Sequence, residues 1–271
     1  MPRPKGKRER TPSKSMQKSV KEIVRKELAH ELEEKHAITE YSNVPLLPII
    51  PSGPVINGGG NFFKLIPQIY QSTTGGAGSA YNERVGNEIN LKEVDINGFI
   101  NYGPASVSGV DYKNAKVAVR VMILRAREVS DQELLFDNMP TDGLVRFGEQ
   151  TTGFAGPVPY RGLPLDSFRE INRDIFAVRY DKVHYLNAPA ILAGTSSVST
   201  SNVPSGLKMI NHTLKFGKSG LKLKYSASSD RQPNNFPYFM VIGYSSMSQN
   251  AVPGNNLIQA TFNISSTYTD A

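Results

Sequence analysis

Ten cationic side chains crowd the first 26 residues: Arg3, Lys5, Lys7, Arg8, Arg10, Lys14, Lys18, Lys21, Arg25 and Lys26. Only Glu9 and Glu22 oppose them, so this stretch carries a net +8 while the whole chain carries +7. Everything from Glu27 onward therefore sums to −1. A neutral body with a cationic arm is built for one kind of chemistry, the neutralisation of a polyanion, and phosphates are its usual target. A solubility tail or an import signal would also be basic. Concentration of the charge at one end favours nucleic acid, and an import role is compatible with it.

The other chemistry-bearing residues form no such concentration. His30, His36, His184 and His212 are scattered, and His184, beside Tyr185 in a strand-like stretch, reads as a packed or surface histidine. Gly217, Lys218 and Ser219 end like a phosphate-binding loop, but His212 stands where the earlier glycine is required. A hairpin turn accounts for those residues. Asp137, Asp142 and Asp166 lie near turns and read as turn-capping aspartates rather than as metal ligands. No acid–base cluster stands out, so the expectation is a protein that is not an enzyme, with no catalytic residues, no metal and no cofactor.

The elements that must carry the arm change character along the chain. Residues 1–14 contain Pro2, Pro4, Gly6 and Pro12, which forbid a continuous helix, and the segment is expected to be a disordered polycation. Over residues 15–36, Met16, Val20, Ile23, Val24, Leu28 and Leu32 recur at spacings of three and four and predict a short amphipathic helix. Its first half is basic and its second half acidic (Glu27, Glu31, Glu33, Glu34), against the preference of the helix dipole. Such a helix is marginal alone and gains from a partner. Residues 37–60, with Pro45, Pro48, Pro51, Pro54 and Gly58–Gly60, read as a linker.

From residue 61 to 271 the periodicity is that of strands. Glu88–Tyr102 alternates with a slip near Lys92 and Glu93, as a bulged strand does. Lys116–Val129, Arg173–Leu186, Lys208–Tyr225, Tyr238–Tyr244 and Ile258–Tyr268 follow, with Lys208–Tyr225 split at Gly217 and Gly220 into an expected hairpin. About eight strands with long unequal loops predict an all-β fold, an eight-stranded antiparallel jelly-roll sandwich. With no cysteine, neither disulfides nor thiolate metal sites are available. No apolar run approaches the length of a membrane span, and no apolar segment follows the N-terminal charges, so a soluble intracellular product is expected.

Three of these stretches, GNEINLKEVDINGFI (Gly86–Ile100), KVAVRVMILRAREV (Lys116–Val129) and INRDIFAVRYDKVHYL (Ile171–Leu186), resemble the capsid proteins of small circular Rep-encoding single-stranded DNA viruses. In such coats a basic arm precedes a strand reading "G..I.L..v.I.G" and, later, a strand reading "R..F.V..D....L", here Arg173, Phe176, Val178, Asp181 and Leu186. The resemblance runs in strand order over roughly residues 60–270. It departs in an arm that mixes Lys with Arg and in the acidic half of the 15–36 segment. What it implies is a single jelly-roll subunit that self-assembles into an icosahedral shell and packages single-stranded DNA through its arm. A location in the virion, and in the host nucleus during assembly, follows from it. Host import receptors and a cell receptor are implied partners, and membrane insertion is not. A coat protein of a small RNA virus and a non-viral β-sandwich nucleic-acid-binding module remain as alternatives.

Overall fold

The computed structural model describes residues 13–31, 34–51, 60–72, 81–102, 116–129, 139–148, 156–188 and 206–270, with 131, 135 and 137 singly. One helix, α1 (Lys14–Glu31), leads at once into strand β1 (Glu34–Pro45). Two sheets follow. The chain alternates between them through β2 (Phe62–Lys64), the short pair β3 (Tyr70–Gln71) and β4 (Glu83–Arg84), then β5 (Glu88–Tyr102) and β6 (Lys116–Ala126). Three short strands, β7 (Val145–Phe147), β8 (Gly156–Val158) and β9 (Glu170–Ile171), separate β6 from β10 (Phe176–Asn187). Next come β11 (Leu207–Lys215), β12 (Leu221–Lys224), β13 (Tyr238–Ser246) and β14 (Ile258–Asp270).

The first sheet has the order β1-β14-β5-β11, with β12 also paired to β5, and the second has the order β10-β6-β13-β2. Every pairing in both is antiparallel. Ala37, Ile96, Ile210 and Ile264 of the first sheet share one buried cluster with Val119, Leu186 and Ile242 of the second, so the sheets pack face to face. The all-β expectation holds.

The two sheets read differently in sequence because they are covered differently. On the first, register places Gln259, Thr261, Asn263 and Ser265 beside Asn101, Phe99, Asn97 and Asp95, on the face away from the core. One wet face and one dry face give strict alternation. The second sheet is dry on both. Met122, Leu124, Phe239 and Val241 pack outward against Leu144, Tyr160 and Ile171 of the β6–β10 segment, forming a second apolar layer. Residues Val117–Leu124 are consequently all buried, which is why β6 is an almost unbroken apolar run.

The one charge in that run, Arg120, is 3% exposed. Its guanidinium grips Asp181 at 2.8 and 2.7 Å and donates to the carbonyls of Asp166 (2.9 Å) and Arg169 (2.7 Å). It clamps the β6–β10 segment onto the sheet. Asp166 in turn accepts the backbone N–H of Arg161 and Leu163 at 2.8 and 3.0 Å, the turn-capping role expected for it.

The slip near Lys92 is a bulge. Strand β14 steps from the pair Thr267–Glu93 to Tyr268–Leu91, leaving Lys92 unpaired. On the other edge of β5, β11 ends at Lys215–Glu93 and β12 resumes at Leu221–Leu91, running the same way. This corrects the expected hairpin: Phe216–Gly220 is a five-residue excursion from one continued edge strand. Phe216 N–H donates to the Lys92 carbonyl at 3.0 Å, and Gly217 and Gly220 take the left-handed φ values +78° and +72° that let the chain leave and return.

Strand β1 is the second correction. The helix ends at Glu31, and residues expected to close it, and then to open a linker, form a twelve-residue edge strand. Paired along its length to β14, touched on its other edge only by a bridge from His36 to Tyr81 among the described residues, and wet on one face, β1 buries Ala37 yet shows Glu34, Ile38 and Glu40 to solvent. So mixed a surface carries little strand signal in sequence. The core also reaches into the same supposed linker, at Leu46 and Ile50.

Candidate nucleic-acid interface

Ser13 starts the helix. Its hydroxyl accepts the N–H of Met16 at 3.3 Å and its carbonyl accepts that of Gln17 at 2.9 Å, as an N-cap does. No acidic residue occupies the first turn. The positive end of the dipole therefore meets Lys14 rather than a carboxylate, an arrangement that a bound phosphate relieves.

Along α1, Lys14, Lys18 and Lys21 fall at i, i+4 and i+7 and share one stripe. Met16, Val20 and Ile23 occupy the opposite face and are 61%, 51% and 59% exposed. Every described side chain from Ser13 to Ile23 is open to solvent. From Ser13 to Ile23 the helix thus presents one cationic face and one apolar face to solvent, and it can hold an anionic strand and a protein surface at once.

Of the basic residues singled out by sequence, Lys14, Lys18 and Lys21 are brought together on this stripe. Arg25 and Lys26 lie further along the helix backbone. Arg3, Lys5, Lys7, Arg8 and Arg10 lie outside the described residues, as do residues 1–12 of the arm expected to be disordered over 1–14; the helix corrects that expectation at Ser13 and Lys14, which cap and open it. Arg125 and Arg127 are exposed at the end of β6.

Sequence reasoning missed a second cationic locus, on the body. Antiparallel pairing puts β10 at one edge of the second sheet and β11 at the matching edge of the first. Arg179, Lys182, Lys208 and Lys215 are exposed along this rim. Two of the four histidines meet there across Tyr180. The Tyr180 and His212 rings lie 4.6 Å apart, and the Tyr180 hydroxyl is 3.5 Å from His184 Nε2. Burial, reinforced by the charges of Lys182 and Lys208, pushes the His184 imidazole down to about 4. Burial also lowers His212. Both are neutral near pH 7. The available signal was the alternation that puts Tyr180, Lys182 and His184 on one face of β10, and Lys208, Ile210 and His212 on one face of β11.

Elsewhere His36 sits against Tyr81 and Thr267, far along the chain from any other histidine of the rim. Among the described residues no three His, Asp or Glu side chains are grouped to hold a metal ion, and no helix is long and apolar enough to cross a membrane. No model of a known protein family matches this chain, and no curated protein is significantly similar to it in sequence.

Proposed function

We propose that the chain is the jelly-roll subunit of a viral capsid, which assembles with copies of itself into an icosahedral shell and packages single-stranded DNA with its N-terminal basic segment. The observation that carries this reading is the strand order. Counting only the strands that belong to the two facing sheets, with β11 and β12 as one, the first sheet runs first–eighth–third–sixth and the second fifth–fourth–seventh–second. Alternation of consecutive strands between two facing sheets in this order supports a double Greek key, the arrangement common among virus coats. Lectins and cupins share it, so the fold supports the function only together with a site.

Two further features support a shell over a monomeric binding module. Ile49, Leu163 and Val252 line one open apolar hollow, and Leu165 and Phe168 beside it are 64% and 60% exposed. Large apolar side chains left in water on a well-packed body favour subunit contact, which for a stable interface buries on the order of 1,600 Å². The free apolar face of α1 adds a second contact. The preference for DNA rests on the resemblance carried by β5, β6 and β10. A role as a non-enzymatic structural protein, present in the virion and in the host nucleus during assembly, belongs to the same reading.

The packaged polymer provides the test. Protein purified from expressing cells is expected to carry nucleic acid that resists nucleases until the particles are disrupted, and then succumbs to deoxyribonuclease. Protected material that only ribonuclease degrades would move the reading to an RNA virus coat. Absence of any protected nucleic acid would favour the binding module.

A further inference from the structure

The rim between β10 and β11 carries four cations that form no ion pair among the described residues, and of the four Lys215 alone has a carboxylate, Glu93, opposite it in the strand register. The ion pairs among described residues engage Lys35, Arg120, Arg146, Arg169, Arg173, Lys222 and Lys224; Arg179, Lys182, Lys208 and Lys215 take part in none of them. Asp181, the acid of β10, is held by Arg120. The connection from Ala188 to Gly206 contains no charged residue at all, so it brings no carboxylate to the rim.

Lysine on an edge strand is a common guard against edge-to-edge pairing, and that accounts for Lys215, Lys222 and Lys224. It does not account for Lys182 and Lys208. By alternation these two lie on the faces that Tyr180, His184, Ile210 and His212 turn toward the gap between the sheets. Lys182 follows Tyr180 and precedes His184 on that face of β10, and Lys208 stands on the face of β11 that carries His212, so the contact of Tyr180 with His184 and His212 brings the cations of both strands to one gap. Two cations with no ion-pair partner among the described residues, beside the same pair of uncharged imidazoles, attract an anion.

The gap also offers ring faces. Tyr180 and His212 stack obliquely, and Arg179 lies 5.5 Å from the Tyr238 ring centroid while donating to its hydroxyl at 3.0 Å. Cations interleaved with aromatic rings suit a single strand of nucleic acid, whose phosphates and bases alternate in the same way. A sulfated polysaccharide would use the cations and leave the rings idle.

We infer that the β10–β11 rim is a second nucleic-acid contact, in which Lys182 and Lys208 hold a backbone phosphate of single-stranded nucleic acid and Tyr180 and His212 lie against a neighbouring base. The contact rests on the nucleic-acid reading of the N-terminal segment and extends it to the folded body. It reads charge and stacking rather than sequence, so it serves any strand that reaches it.

The test uses full-length protein and a fluorescent oligodeoxythymidine, with binding followed by anisotropy across a salt series. Lys182→Gln with Lys208→Gln should make the log–log salt slope shallower by about 1.4, two charges at about 0.7 each. Lys182→Arg with Lys208→Arg should restore it. Both positions are exposed, so the thermal midpoint should not move. An unchanged slope in the Gln pair overturns the inference, as does equal loss in the Gln and Arg pairs. Weaker binding to heparin with unchanged binding to the oligonucleotide also overturns it and assigns the rim to a sulfated glycan. A third variant, with Arg3, Lys5, Lys7, Arg8 and Arg10 changed to Gln, separates the two readings. If its slope is unchanged the arm reading fails, while the difference between the Gln pair and the parent still reports on the rim alone.

Discussion

Removing residues 1–14 should collapse the salt dependence of single-stranded DNA binding while leaving the fold intact. The net +8 of the first 26 residues, if fully engaged on a single strand, sets a log–log slope of about −5.6. Between 50 and 200 mM salt a slope of that size is a loss of roughly two-thousandfold in affinity. The deletion takes Arg3, Lys5, Lys7, Arg8, Arg10, Lys14 and Glu9, a net +5, and should make the slope shallower by about 3.5. The sandwich should fold without them, because among the described residues its buried core begins at Ala37, and loss of the Ser13 cap bears on α1 alone. Fluorescence anisotropy in a salt series measures the slope directly, and a truncated protein with the parent's slope would show that the arm is not the anion-binding element. Polar substitutions at Val20 and Ile23 should behave in the opposite sense. They leave the slope alone and impair assembly, since those side chains form the free apolar stripe of α1.

The second large effect is on the fold itself. Gly98→Ala should destabilise the protein by about 4 kcal/mol or more, enough to abolish soluble expression in a marginally stable domain. Gly98 lies in the middle of β5, paired with Phe262 of β14 and Ile210 of β11. A Cβ there would stand 2.1 Å from the Thr261 carbonyl oxygen and 2.5 Å from Phe262 Cδ1. The obstacle is backbone of the neighbouring strand, so no rotamer change relieves it. Phe262 fills the space over the glycine and stacks edge-on against Phe63 of the opposite sheet, with centroids 5.4 Å apart. The bare backbone of Gly98 is therefore what lets an aromatic bridge both sheets at the core's centre. Gly254→Ala is the control, because a Cβ there meets nothing within 4 Å. Its effect should stay within about 0.5 kcal/mol. Equal denaturation midpoints for the two variants would contradict this account of the close approach.

Gly98 also shows what was legible in the sequence. It is the closing glycine of the "G..I.L..v.I.G" pattern, whose Ile89, Leu91, Val94 and Ile96 all face the core. The break in their alternation is the bulge at Lys92. Period-two patterning announces a strand wherever one face is dry and the other wet, and β5 and β14 satisfy that condition along their lengths. The same rule explains the misses. Strand β1 has one full-length neighbour and a mixed surface, so EKHAITEYSNVP gives no clean alternation, and the helical stripe before it predicts a helix that runs past its end at Glu31. The glycines at 217 and 220 predict a turn that reverses the chain. Positive φ serves equally well for a loop that returns to the same edge, and only pairing with β5 separates the two. The second apolar layer was legible only as the continuous run of β6, because a strand buried on both faces loses its period.

The candidate site divides in the same way. Charge density is a property of composition, so the cationic arm is visible without a fold. The capping of α1 by Ser13, and the separation of Lys14, Lys18 and Lys21 from Met16, Val20 and Ile23, follow from helical spacing. The β10–β11 rim is a property of topology. Lys182 and Lys208 stand on strands joined by the uncharged stretch from Ala188 to Gly206, and only the pairing of each strand into a different sheet brings their faces to one gap, where Tyr180 meets His212. No spacing rule within one strand reports a contact between two.

Assembly is the claim on which the rest depends, and negative-stain electron microscopy of the purified full-length protein tests it most directly. Closed particles of one uniform diameter are the expected result. A dispersed monomer or small oligomer across the range of salt and protein concentration at which the chain stays folded would contradict the shell and leave a β-sandwich that binds nucleic acid alone.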